Sequence, residues 1–192
     1  MNRQNYRIWG TEKPEIVTVR PLNPLKITVW AAMNAECIIG PVFIEETVRA
    51  EVYNQVLQDW FIPRVAAENM FSDHWFMQDG APPHRTESTF NILENSLDDR
   101  VIALGYNDKK DKGIDWPPYS PDLNPLDFFL WGTLKDRIYS DRPTTIADLK
   151  NRISKEIREI PSAMLARTVE SFEARLRHVI ASEGSHFENL IH

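Results

Sequence analysis

The spacing of apolar residues divides the chain into a strand-rich opening and a largely helical remainder. Tyr6-Arg7-Ile8-Trp9 alternates and ends at Gly10, and Ile16-Val17-Thr18-Val19 is a second short extended run. Pro21 and Pro24 bracket a turn. Lys26 to Ala32 alternates through Ile27, Val29 and Ala31, then Asn34-Ala35 leads tightly into Cys37 to Ile44, with Gly40-Pro41 marking a bulge or edge. These runs predict an antiparallel meander. The period then changes. Val52, Tyr53, Val56, Leu57, Trp60 and Phe61 fall on one helical stripe across residues 47–62, and Pro63 is its predicted stop.

Residues 74–79, His-Trp-Phe-Met-Gln-Asp, form a short apolar run closed by Asp79-Gly80. They read as a buried strand ending in an acid, lying parallel to an earlier strand. Thr86 caps a helix over residues 86–97 with Phe90, Leu93 and Leu97 inward, Val101 to Leu104 is a short strand, and a helix runs from Pro125 to about Tyr139. Behind Thr144-Thr145, Ile146, Leu149, Ile153 and Ile157 repeat at helical spacing. After Pro161-Ser162 the pattern resumes through Leu165, Val169, Phe172, Leu176 and Val179 until Gly184, predicting two helices packed as an antiparallel hairpin on the sheet.

Composition narrows the function classes. The 192 residues suit one domain with a real core, and no apolar run approaches the length of a membrane span. Met-Asn-Arg-Gln at the start is not a signal peptide. The single Cys37 excludes an internal disulfide and a cysteine-based zinc site, and reads as a small core residue. A net charge of −6 argues against a protein that binds DNA over its whole surface, but suits an acidic metal site. Lys109, Lys110 and Lys112 are the one basic cluster, in a Gly- and Asp-containing stretch predicted as a solvated loop, with a DNA-backbone contact as the sharper alternative.

Two acids stand out by position. From Trp116 to Gly132 the chain reads Trp-Pro-Pro-Tyr-Ser-Pro-Asp-Leu-Asn-Pro-Leu-Asp-Phe-Phe-Leu-Trp-Gly. The prolines force an extended approach, Asn124 is a good N-cap, and Pro125 fits the first helical position. Asp127 then falls in the first turn, where backbone N–H groups favour a negative charge. An acid there also serves as a plain capping partner. The second acid, Asp79, changes the weighing, because ligand sites of open α/β sheets lie beyond the carboxyl ends of strands. A strand-end acid and a helix-start acid can converge over one crevice.

Gln78-Asp79-Gly80-Ala81-Pro82-Pro83-His84, followed by Trp116-Pro117-Pro118-Tyr119-Ser120-Pro121-Asp122-Leu123-Asn124-Pro125-Leu126-Asp127, resembles the second and third acidic motifs of mariner-like transposases of the DDE/D superfamily. The resemblance runs from residue 2 to the end. It implies a ribonuclease-H-like α/β fold, a mixed sheet flanked by helices. Residues 1–140 would be a partial catalytic domain and residues 141–192 its helical extension. Asp79 and Asp127 would be catalytic and would bind metal as the second and third members of an acidic triad, with Mg²⁺ or Mn²⁺ as cofactor. The segment between them is longer than in the best-known members, the excess falling around Gly105–Gly113.

The implied reaction is hydrolysis at a transposon end, then attack of the freed 3′-hydroxyl on target DNA. DNA would be the partner and a homodimer the assembly, with no membrane, no small-molecule substrate and a nuclear location. The first acid of the triad and the strand bearing it belong before Asn2, as does the family's DNA-binding region. The expectation is therefore an amino-terminally truncated domain, weak or inactive, lacking a central strand between the meander and the Asp79 strand. A non-enzymatic binding or dimerisation module is the rival. Asp73, Asp115 and Asp122 are the acids weighed as replacements. His84 reads as a hydrogen-bonding group, with a phosphate or metal contact as its alternative. Trp116 and Trp131 read as packing residues, with base stacking on Trp116 as the alternative.

Overall fold

A computed structural model describes residues 25–68, 74–140 and 143–181. The expectations for Tyr6–Trp9, Ile16–Val19, Pro21, Pro24, Asp73 and Gly184 lie outside the described residues.

The predicted hairpin forms from β1 (Thr28–Met33) and β2 (Ile38–Ile44), paired antiparallel with Thr28 opposite Ile44 and Met33 opposite Ile38. Asn34 shapes its turn, the side-chain oxygen accepting from the Glu36 and Cys37 N–H groups. The register slips between Trp30 and Ala32, and Gly40, with φ of 115°, sits opposite the slip. β1 is packed on both faces: Trp30 and Ala32 join one hydrophobic cluster, while Val29, Ala31 and Met33 join another. That is why its sequence is apolar almost throughout.

The helical stripe departs from expectation. α1 (Ala50–Val56) widens into a π-helical turn over Leu57–Phe61, with the Ile62 N–H reaching back to the Leu57 carbonyl, and resumes as α2 (Ile62–Ala67). Pro63 does not stop the helix. It falls in the first turn of α2, directly after the widened turn, where a missing N–H is tolerated. The extra residue also rotates the stripe, so Trp60, predicted inward, is 59% exposed.

β3 (Phe76–Met77) pairs parallel with β4 (Val101–Ile102), and Ile114 bridges to Ile102. The strand before Asp79 is thus shorter than expected. Its partner among the described residues is a later strand, not an earlier one. α3 (Glu87–Leu97) connects them, with Thr86 Oγ1 accepting from the Thr89 N–H as the predicted cap. The Lys-rich stretch is a loop only at Lys112, and Lys109 and Lys110 are helical. α4 (Tyr106–Lys110) occupies it, and Lys110 and Lys112 pair with Glu87, Glu94 and Asp98 of α3 and its end.

A short 3₁₀ turn, Pro121–Leu123, precedes a second π-helical turn, Leu126–Leu130, which continues as α5 (Trp131–Ser140). α6 (Ile146–Arg158) packs on β2 and α5. α7 (Ser162–Ala181) follows and touches the Pro121–Leu123 turn. One core gathers α1, α2 and α3 with β3 and β4 around Tyr53, Leu57, Phe90 and Leu93. The second gathers α5, α6 and the start of α7 under the β1–β2 hairpin around Leu130, Leu149 and Ile153. Helices therefore cover both faces of the antiparallel hairpin and pack against the parallel pair, the layered α/β arrangement expected.

Candidate active site

The frame around Asp79 is built from the first core outward. Tyr53 is 2% exposed, and its hydroxyl donates to Gln78 Oε1 at 2.7 Å. Gln78, itself buried, donates from Nε2 to the His84 carbonyl at 2.9 Å. The His84 ring lies on the Tyr53 ring, centroids 4.2 Å apart. A 3₁₀ turn at Pro82–Arg85 presents that ring, pinned by Thr89 Oγ1 donating to the Pro83 carbonyl. Asp79 Oδ1 then accepts from the Ala81 N–H at 3.0 Å and meets His84 Nδ1 at 2.7 Å. The hydrogen bond from His84 holds the Asp79 carboxyl below its ordinary range, outweighing the partial burial that pushes the other way.

Asp127 stands on the second π-helical turn. The Trp131 N–H reaches back to the Leu126 carbonyl. Asn124 plays the predicted capping role: its Oδ1 accepts from the Leu126 N–H, its carbonyl accepts from the Asp127 N–H, and its Nδ2 donates to Asp127 Oδ2 at 2.8 Å. Burial raises the Asp127 pKa, the negative charge of Asp79 raises it further, and the bond from Asn124 offsets part of the rise. The carboxylate still reaches solvent.

Asp79 and Asp127 line one cavity of about 590 Å³, together with His84, Asn124 and Leu126. Each carboxylate engages its neighbours mainly through one oxygen, Oδ1 of Asp79 and Oδ2 of Asp127. The other oxygen of each is available to a cation. A hard ion such as Mg²⁺ needs only one or two carboxylates, keeping water and substrate oxygens for the rest. Burial is the larger cause of the raised Asp127 pKa and the nearby Asp79 charge the second, and a bound cation would offset both. The residues therefore fit a divalent cation, although no group of three or more His, Cys, Asp or Glu residues gathers among the described residues.

The other candidates have different roles. Asp115 Oδ1 accepts from the Gly105 and Asn107 N–H groups and caps α4. Asp122 lies in the 3₁₀ turn, where its carbonyl accepts from Arg175. Trp116 is 4% exposed, which closes it to base stacking. Trp131 packs against the second core, one face on the cavity. His84 is a hydrogen-bonding group, directed at Asp79. A second, shallower pocket lies beside the site between Pro82, Arg85, Leu104, Gly105 and Lys109. Tyr53 and Gln78 escaped the sequence reading as site residues. Their only signal was a tyrosine on a core stripe, whose buried hydroxyl requires a partner.

The DDE superfamily endonuclease profile matches residues 4–150. Two curated relatives are transposases of Caenorhabditis elegans transposable elements. The Tc3 transposase is 28% identical over 176 residues, covering 91% of this chain and 49% of the relative. The Tc1 transposase is 35% identical over 164 residues, covering 82% and 52%. The chain thus spans about half the length of these relatives. Among solved structures, the Mos1 transposase catalytic domain with Raltegravir and Mg superposes with a TM-score of 0.67 at 22% identity, covering 84% of this chain and 77% of that one. At that identity the likeness establishes the ribonuclease-H-like fold alone.

Proposed function

The chain belongs to the DDE superfamily endonucleases, and from that membership we propose that it is catalytic-domain material of a transposase, acting on DNA phosphodiesters in transposition with divalent cations held by Asp79 and Asp127. The observation that carries the reading is the pair of acids from distant segments on one cavity, each steadied by its own neighbour, His84 or Asn124. A phosphodiester repels anionic nucleophiles, and bound divalent cations supply the charge that activates the attacking oxygen and stabilises the leaving one. The protein's share is positional. Asp79 is fixed at a strand end by the Tyr53–Gln78–His84 frame. Asp127 is fixed at a helix start by Asn124. Rigid placement of this kind is what a metal site needs from its supporting residues. The relatives' names support DNA transposition as the process.

The test begins with the cation. Mn²⁺ binding followed by paramagnetic relaxation should be weakened by Asp79→Asn and by Asp127→Asn. Mg²⁺-dependent cleavage of a duplex carrying the element's end should fall with the same changes. Unchanged Mn²⁺ affinity in Asp127→Asn sinks the assignment.

A further inference from the structure

The basic residues around α4 divide by what they meet. Lys110 pairs with Glu87 and Glu94, and Lys112 with Glu94 and Asp98, so their charges are neutralised against α3 and its end. Lys109 reaches instead toward the start of α3. Its Nζ donates to the Arg85 carbonyl at 3.0 Å and lies 5.2 Å from the centre of the Phe90 ring. That carbonyl occupies one of the three donors of the ammonium and leaves the others for a ligand. Among the described residues, no ion pair joins Lys109 or Arg85 to an acid. The backbone under Lys109 is fixed as well. Tyr106, one turn earlier, is fully buried, and its ring meets Phe90 edge-on with centroids 5.2 Å apart.

These two cations border the shallow pocket of about 490 Å³ beside the acids. Arg85 and Lys109 supply its charge, Pro82 and Leu104 an apolar wall, and no carboxylate lines it among the described residues. The pocket and the acid cavity share a partition. Arg85 follows His84 directly on the same 3₁₀ turn, and His84 touches Asp79. Gly80, next to Asp79, packs so closely on Leu104 that a Cβ there would come within 2.7 Å of Leu104 Cδ2. The pocket thus lies just past the carboxyl ends of the parallel strands β3 and β4, where ligands of such sheets bind. Asp115 takes the N–H groups of Gly105 and Asn107. The positive charge of the pocket therefore comes from the two side chains and not from the start of α4.

We propose that Arg85 and Lys109 grip one backbone phosphate of the DNA, flanking the phosphodiester presented to Asp79 and Asp127. This contact deepens the proposed action on DNA and rests on it. An arginine fork takes two oxygens of a phosphate at once, and an ammonium beside it adds a point charge. The sugar next to that phosphate rests its apolar face on Pro82 and Leu104. A net charge of −6 repels a polyanion at large, so an anchor without neighbouring carboxylates counts for more here than on a basic protein. Lys110 and Lys112 cannot serve in this way without giving up their acids. The grip is positional: a strand held beside the reacting linkage enters the acid cavity in one orientation, and orientation of that kind lowers the barrier that the cations must overcome. Phosphate contacts fix register and carry no base information, so the anchor works on any sequence.

The probe is a short fluorescein-labelled DNA duplex, added in EDTA to the full 192-residue chain and followed by anisotropy across a range of salt concentrations. Arg85→Gln/Lys109→Gln should weaken binding and lower the slope of log affinity against log salt by about 0.9, the share of one phosphate. Arg85→Lys/Lys109→Arg keeps both charges and should keep the slope. Lys110→Gln/Lys112→Gln removes the same charge from lysines already paired with acids, and should also keep it. In the ¹⁵N spectrum of the unaltered chain, DNA should shift the Arg85, Gly105 and Lys109 amides. An unchanged slope in Arg85→Gln/Lys109→Gln overturns the proposal, as does an equal loss in either of the other two variants, or no DNA binding by the unaltered chain. Inorganic phosphate shifting those amides where DNA does not overturns it too, and marks a small-anion site. EDTA removes divalent cations from the assay, so a failed metal assignment at Asp79 and Asp127, read by Mn²⁺ relaxation, leaves these outcomes unmoved.

Discussion

Tyr53→Phe isolates the frame behind Asp79 from its packing. The substitution keeps the ring, its stacking on His84 and its burial in the first core. It removes one hydroxyl, the donor to Gln78 Oε1 at 2.7 Å. Gln78 is 6% exposed, so water does not readily replace the donor. Leaving a buried acceptor unpaired costs about 1–3 kcal/mol, more than the net worth of an ordinary hydrogen bond. With a urea m-value of about 2 kcal/mol per molar, the midpoint should fall by about 0.5–1.5 M at constant slope. A double-mutant cycle with Gln78→Leu sharpens the test. Once Gln78 is gone, the Tyr53 hydroxyl has lost this acceptor and keeps its hydrogen bond with Trp30, so the same substitution should cost less in that background than in the unaltered chain. Gln78 precedes Asp79 directly, so amide shifts should spread to Asp79, Ala81 and His84. A midpoint within about 0.25 M of the unaltered chain, equivalent to about 0.5 kcal/mol, or the same cost in both backgrounds, refutes the frame.

Three further outcomes follow from the same geometry. Asp79→Asn should lower the Asp127 pKa, read by carboxyl NMR titration, but leave it above the ordinary value, because burial is the larger cause and Asp79 the second. His84→Ala should raise the Asp79 pKa. Since the folded-state value is depressed, Asp79 stabilises the fold above its unfolded pKa of about 3.9, and that contribution is lost as pH falls through the folded value; the substitution should flatten this acid limb of the stability profile. Leu93→Ala, at a fully buried position of the first core, should destabilise by about 2–5 kcal/mol in urea titration, a cost set by the cavity left behind.

Much of this molecule was legible in its residues, and the failures share a cause. Thr86 and Asn124 announced their helix starts because a cap is a local contract between a side chain and the next few N–H groups. That Asp79 and Asp127 line one cavity was legible for the same reason, since each ends a short, strongly punctuated motif. What failed depended on backbone count or distant partners. Pro63 reads as a terminator in any ordinary helix, and only the widened turn before it makes it tolerable. Lys110 and Lys112 look like a solvated loop until α3 brings Glu94 and Asp98 beside them. The parallel partner of β3 is set by tertiary placement, which alternation alone does not encode. Asp115 resembled a spare ligand, yet its carboxylate is committed to the N-terminus of α4.

The wide turn at Leu126–Leu130 makes the aim of Asp127 a matter of arithmetic. Such a turn behaves as a single residue spliced into a regular helix. Excising one residue between Phe128 and Leu130 would let the coil tighten and swing everything upstream by about 100°. Leu134 and Ile138 would keep their seats while the acid swept off its bearing. Evolution or an engineer could turn Asp127 away from the cavity it shares with Asp79 without altering either aspartate, merely by shortening the spacer behind one of them.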